Sequence, residues 1–147
     1  MLHVLLDSYP LGALSHPIPD VGILRWAAAC HSAGHELYVP EVFDYEVRRE
    51  LLRANKKIGI GKLNALKTVF RFLPITSPAM LLAADLWAKS RQSGLPTGDP
   101  KKLDIDVILA AQALTLGVPA SDLMIATNNV GHLSRFVPAD LWSNVKP

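Results

Sequence analysis

Cysteine is nearly absent from this chain: Cys30 is the single thiol among 147 residues, which excludes an intrachain disulfide and any zinc cluster built on thiolates. Charge is sparse too, at 19% of residues with a formal net of +2, too little to argue from the total for a nucleic-acid or membrane partner. No stretch approaches the ~18 continuous apolar residues of a membrane helix. The opening Met1-Leu-His-Val-Leu-Leu-Asp7 meets an acid before a signal-like apolar run develops. No membrane partner and a reducing, cytoplasmic location are the expectation. GxGxxG, GxxxxGK[ST] and GxSxG patterns do not occur, which removes any motif basis for a nucleotide cofactor or a hydrolase nucleophile elbow. His31 and His35 lie a helical turn apart but lack an HExxH context and straddle Gly34, so they read as surface residues rather than zinc ligands. His3, His16 and His132 are scattered.

What is abundant is apolar residues, at 50%. A chain of this length buries about 70% of its unfolded surface, so one globular domain over residues 1–147 is expected. Leu2 to Leu6 read as a short buried strand that ends at Asp7-Ser8, and the prolines of Tyr9 to Pro19 read as a loop. Asp20 is placed to cap a helix of Ile23, Leu24, Ala27 and Ala28 that stops near Gly34. A second strand over Leu37 to Val39 leads to Pro40 in the first turn of a helix with the stripe Phe43, Val47, Leu51 and Ala54. Gly59 and Gly61 suggest a turn before a shorter helix of Leu63, Leu66 and Val69, and Phe72 to Ile75 read as a strand. Ser77-Pro78 reads as a cap plus a first-turn proline opening a further helix, and Gly94, Pro96, Gly98 and Pro100 mark a flexible connection. From Asp104 a helix runs to Gly117, Leu123 to Ala126 form a buried strand ending at Thr127-Asn-Asn129, and Trp142 to Val145 read as an edge strand. Short apolar strands alternating with helices give an α/β class: three layers, α/β/α, around a short, mostly parallel sheet. Chemistry in such sheets gathers at the carboxyl ends of the strands, where Asp7 and the Asn128-Asn129 turn both fall.

Four acids merit attention. Asp7 directly follows an apolar strand, where a carboxylate needs a cation or hydrogen-bond donors; it can serve as a metal ligand or as a cap for the next backbone N–H groups. Glu46 lies one position from its helix's apolar stripe, at the boundary of packed and open faces. Asp106 shares a helical line with the small residues Ala110 and Ala113, which let that face approach the sheet. Asp104 lies about 200° from Asp106 around the helix and reaches the same ion only from the cap position, where a capping role competes. Such an oxygen set suits the hard cations Mg2+ or Mn2+. Between Arg48 and Arg71 there are eight basic residues and one acid, Glu50. This local positive surface can hold the phosphates of a polyanion or simply solvate a helical face. Trp26, Trp87 and Trp142 can stack on bases or fill core and interface.

In these residues the chain resembles the PIN-domain nucleases, especially the small toxin ribonucleases of the VapC type. The resemblance rests on Leu5-Leu-Asp7-Ser8, on Val39-Pro-Glu-Val-Phe-Asp-Tyr-Glu46, on Asp106-Val-Ile-Leu-Ala-Ala-Gln-Ala113, and on Thr127-Asn-Asn129 followed by His132-Leu133, where the family usually has His-Phe. It implies a PIN-like fold and a metal-dependent endoribonuclease, the toxin of a toxin–antitoxin pair. Asp7, Glu46 and Asp106 would be the catalytic, metal-binding acids, with Asp104 an auxiliary acid. Ser8, Thr127 and Asn129 would position ligands or water, and Arg48, Arg49, Arg53, Lys56, Lys57 and Lys62 would contact substrate phosphates. The implied partners are an RNA substrate, a second copy in a homodimer and a small antitoxin. Two other readings keep the fold: a non-catalytic RNA-binding module resting on the basic segment, and a protein-interaction protein whose acids only cap helices.

Overall fold

The computed structural model describes residues 1–94, 100–131 and 133–147. The expected flexible connection around Pro96 and Gly98, and His132 of the His-Leu pair, lie outside the described residues. Strand β1 (His3–Leu6) buries Val4, Leu5 and Leu6 completely, as a strand covered on both faces must. It pairs in parallel with β2 (Glu36–Pro40) on one side and β4 (Leu123–Thr127) on the other. Outside them lie β3 (Arg71–Leu73) and β5 (Ala139–Leu141), giving a five-stranded sheet of order β3-β2-β1-β4-β5 that is parallel throughout. The expected α/β/α architecture is therefore present, and its order reverses between β1 and β4. That switch point opens a crevice beyond the strand ends.

Among the described residues six α-helices cover the sheet: α1 (Ser8–Ser15), α2 (Val21–Ser32), α3 (Glu41–Arg53), α4 (Lys57–Val69), α5 (Ser77–Gln92) and α6 (Pro100–Leu114). Asp20 caps α2 as expected, its Oδ1 accepting from Gly22 N–H at 2.7 Å and Ile23 N–H at 3.4 Å. Several expectations are corrected. The segment from Tyr9 is not a loop but mostly α1, because Pro10 sits in the first turn, where its missing N–H costs nothing. Gly59 and Gly61 lie inside α4 rather than in a turn; a Cβ on Gly59 would come within 2.9 Å of Leu51 Cδ2, so that glycine permits close packing. Thr76, not Ser77, caps α5 through Ala79 N–H. The strand expected over Phe72 to Ile75 covers Arg71–Leu73. Pro40 ends β2 and stands at the N-cap of α3. Trp142–Asn144 is a 3-10 turn, and the edge strand is the preceding Ala139–Leu141.

The main core joins Val4, Leu6, Leu37, Val39, Phe43, Leu109 and Ile125 across the sheet, and a smaller cluster of Ala79, Ala83, Leu103, Val107 and Ala111 glues α5 to α6. Trp26 is buried with its Nε1 donating to Val145 O at 2.9 Å and Trp142 edge-on to its ring, so both serve packing; Trp87 is 42% exposed. His35 accepts from Leu2 N–H through Nδ1 and faces Lys146 O through Nε2. No helix among the described residues is long and apolar enough to cross a membrane.

Candidate functional site

Asp7 is the first residue beyond β1 and the N-cap of α1. Its Oδ1 accepts from Ser8 N–H at 2.6 Å, and its Oδ2 accepts the hydroxyl proton of Thr127. Thr127 is fully buried at the end of β4, and its oxygen also accepts from Asn129 N–H at 3.1 Å. A further backbone bond, Asp7 N–H to Ala126 O at 3.0 Å, ties the two strand ends together. Capping and orientation therefore act on the same carboxylate. Asn129 itself is exposed.

Glu46 comes from the second turn of α3, and Asp106 from the second turn of α6; both are partly buried. Burial raises the Glu46 carboxyl above its ordinary range and the Asp7 charge raises it further, while Arg49 and Lys102 pull it back. Asp106 is pushed up to about 6, by burial first and then by the charge of Asp7; Lys102 opposes this and Glu46 adds to it. The charge of Asp7 thus reaches both Glu46 and Asp106, and that of Glu46 reaches Asp106. Among the described residues no three Asp, Glu, His or Cys side chains form a ready-made cage for an ion. A hard cation such as Mg2+ keeps several waters and takes only one or two carboxylates directly. Three carboxylates, two of them raised by burial and by the charge of Asp7, with both oxygens of Asp7 already oriented by donors, form a set whose chemistry suits a hard divalent cation.

Asp104 is not among the charges that shift Glu46 or Asp106. Because α6 begins at Pro100, Asp104 lies inside the helix rather than at its cap. It is exposed and lines two clefts of about 460 and 450 Å³, one beside Met80, Trp87 and Ile108, the other beside Tyr45, Arg49 and Ile105. Lys102, four residues before Asp106 on the same helix, belongs to none of the sequence motifs; its i,i+4 Lys–Asp spacing is the signal that marks it.

The basic segment is dispersed. Arg48 is committed to Asp44 through Nε at 3.1 Å and Nη2 at 2.9 Å, and to Asn64 Oδ1 at 2.8 Å. Lys67 also approaches Asp44, at 3.8 Å, and lies over the Phe72 ring. Arg53 pairs with Glu50 at the surface, Arg71 with Glu36, and Lys62 donates to the carbonyls of His16 and Pro17. Arg49 is exposed and stacks 5.1 Å from the Tyr45 ring centroid. Lys56 and Lys57 are exposed and line a cleft of about 370 Å³ with Pro17, Asn55, Ile58 and Gly59.

No family model and no curated protein matches the sequence. Solved structures do. The chain superposes with a TM-score of 0.75 and 14% identity on VapBC2 from Rickettsia felis bound to a DNA fragment from their promoter, covering 96% of this chain and 99% of that one. VapBC-1 from nontypeable Haemophilus influenzae gives 0.69 and 16%, with 98% and 100% covered. FitAcB from Neisseria gonorrhoeae gives 0.64 and 19%, with 97% and 99% covered. At these identities the likeness establishes the fold: a PIN-like, VapC-like architecture over nearly the whole chain.

Proposed function

We propose that this chain is a Mg2+- or Mn2+-dependent endoribonuclease that hydrolyses RNA phosphodiester bonds in the cytoplasm as the toxin of a toxin–antitoxin pair. The observation that carries the reading is that Asp7, held at the β1–β4 switch point by Ser8 N–H and the Thr127 hydroxyl, acts through its charge on both Glu46 and Asp106. The likeness to VapBC and FitAcB supports a small antitoxin as partner, and the resemblance in sequence supports a homodimer.

Asp7, Glu46 and Asp106 would hold the ion, and Asp104 is given no share in it. When bound, such an ion lowers the pKa of water and neutralises charge on the attacked phosphate. The chain's own residues prepare the place. Ser8 N–H and the Thr127 hydroxyl fix the plane of the Asp7 carboxylate. Burial keeps Asp106 and Glu46 poorly hydrated, so their charge is available to a cation rather than dissipated in solvent. Arg49 and Lys102, which already act on the acids, stand where they would attract the substrate's phosphates, and exposed Asn129 would orient water.

Incubation of the purified protein with a mixed RNA panel, with and without Mn2+ and beside Asp106→Asn, tests the reading. Cleavage that needs Mn2+ and vanishes in the variant is expected; cleavage persisting in EDTA or in the variant overturns it. RNA bound equally well in EDTA and never shortened would instead identify a binding module.

A further inference from the structure

The first turn of α3 has no side-chain cap of its own, because its N-cap residue is Pro40. The amide hydrogens of that turn must find partners elsewhere. Glu41 does not supply one, since its Oε1 accepts from Ile75 N–H at 2.8 Å. The partner of Val42 N–H comes from another helix: Gln112 Oε1 lies 3.5 Å away, and Gln112 Nε2 donates to Leu73 O at 2.8 Å. A carbonyl can accept only from the amide nitrogen and an N–H can meet only the oxygen, so the side chain has one orientation.

Gln112 is 1% exposed, in a run where Ala110, Ala111 and Ala113 are buried as well. An amide in that setting is costly unless both its ends are satisfied, and here both are. The geometry gives it a specific consequence. Val42 and Glu46 are four residues apart on one face of α3, and Gln112 shares α6 with Asp106. One side chain therefore joins the helix of Glu46 to the helix of Asp106 and to the end of β3.

We propose that Gln112 is a positioning residue that sets the spacing between Glu46 and Asp106. The inference rests on the metal-site reading above. Gln112→Met keeps the volume and removes both hydrogen bonds. It should weaken Mn2+ binding to the otherwise intact protein by about tenfold and speed hydrogen exchange at Val42 N–H by about tenfold. Ile23→Val, a core change in α2, should lower the melting temperature while leaving both readouts alone. Gln112→Glu provides rescue: its protonated carboxyl can donate to Leu73 O and accept from Val42 N–H as the amide does. Exchange at Val42 should match the wild type at acid pH, where that carboxyl keeps the proton it donates to Leu73 O. Wild-type Mn2+ affinity and exchange in Gln112→Met, or equal losses in Ile23→Val, would overturn the proposal. If the wild type binds no Mn2+, the metal reading fails by itself. Exchange at Val42 then decides the role of Gln112: acceleration in Gln112→Met upholds the brace, and unchanged exchange removes it.

Discussion

The hydroxyl of Thr127, at the end of β4, donates to the carboxylate of Asp7, at the end of β1. Two neighbouring parallel strands thus deliver an acid and the group that orients it to the same point. Thr127→Val keeps the shape and deletes the donor, leaving Asp7 Oδ2 and Asn129 N–H without this partner. The expected cost is ~1–2 kcal/mol in stability and about tenfold or more in Mn2+ affinity. Denaturant melts paired with Mn2+ titration check it; unchanged Mn2+ affinity would detach Thr127 from the site.

Asp106 gives a pH dependence with a definite sign. Its carboxyl is raised from 3.8 to about 6 in the folded chain, so between those values the folded state keeps a proton that the unfolded state has released. Stability must then fall as pH rises from about 4 to about 6, and level off above. The full displacement corresponds to about 3 kcal/mol, which solvent screening of a part-exposed group reduces to ~1–2 kcal/mol. Melting in chelator from pH 4 to 8 should show Asp106→Asn as the more stable protein above pH 6, with the difference closing near pH 4. Parallel profiles for the two proteins would contradict the assignment.

Divalent cation should reverse that penalty. An ion that binds the folded state alone stabilises by about 2.7 kcal/mol at a hundredfold excess over its Kd. Mn2+ at pH 7.5 should therefore raise the wild-type melting temperature by several degrees and leave Asp106→Asn nearly unmoved. Calorimetry distinguishes this from a general salt effect if Ca2+-free KCl of equal ionic strength produces no comparable rise.

The segment Glu41-Val-Phe-Asp-Tyr-Glu46 holds three acids, and the structure gives them separate tasks. Asp44 is 7% exposed and paired with Arg48 and Lys67, whereas Glu46 feels Asp7. Asp44→Asn should cost ~1–3 kcal/mol by weakening the hold on two cations yet retain Mn2+ binding. Glu46→Gln should retain stability and lose Mn2+ binding. A chemical-denaturation curve and a Mn2+ titration on each variant suffice, and an exchange of these two phenotypes would make Asp44 the functional acid.

How much of this could be read in the sequence follows from the range of each interaction. Asp7 was legible because a strand's hydrophobicity ends abruptly at an acid, and Asp106 because the alanines behind it mark a close-packed helix face. The path of α1 was not, since Pro10 and Gly12 carry the same letters in a first turn as in a loop. The interior placement of Gly59 depends on Leu51 approaching from α3, which no local pattern encodes. In sequence the basic run looks like one surface, but Arg71 answers Glu36 from a neighbouring strand, and Lys62 answers carbonyls about 45 residues away. Partners so distant in sequence cannot be inferred from charge order alone.

That dispersal narrows what the basic segment can do for RNA. Arg48, Arg53, Lys62 and Lys67 have intramolecular partners, and among the described residues no ion pair holds Lys56 or Lys57. Each phosphate neutralised on a single strand contributes about 0.7 to the slope of log affinity against log salt. Lys56→Ala with Lys57→Ala should therefore weaken single-stranded RNA binding and flatten that slope by about 1.4. Arg48→Ala should act mainly by lowering stability. Filter binding across a range of KCl concentrations separates the cases. If the double variant keeps the wild-type slope, these lysines solvate the α3–α4 corner and the phosphates are met elsewhere, with Arg49 and Lys102 at the acidic site as the next positions to change.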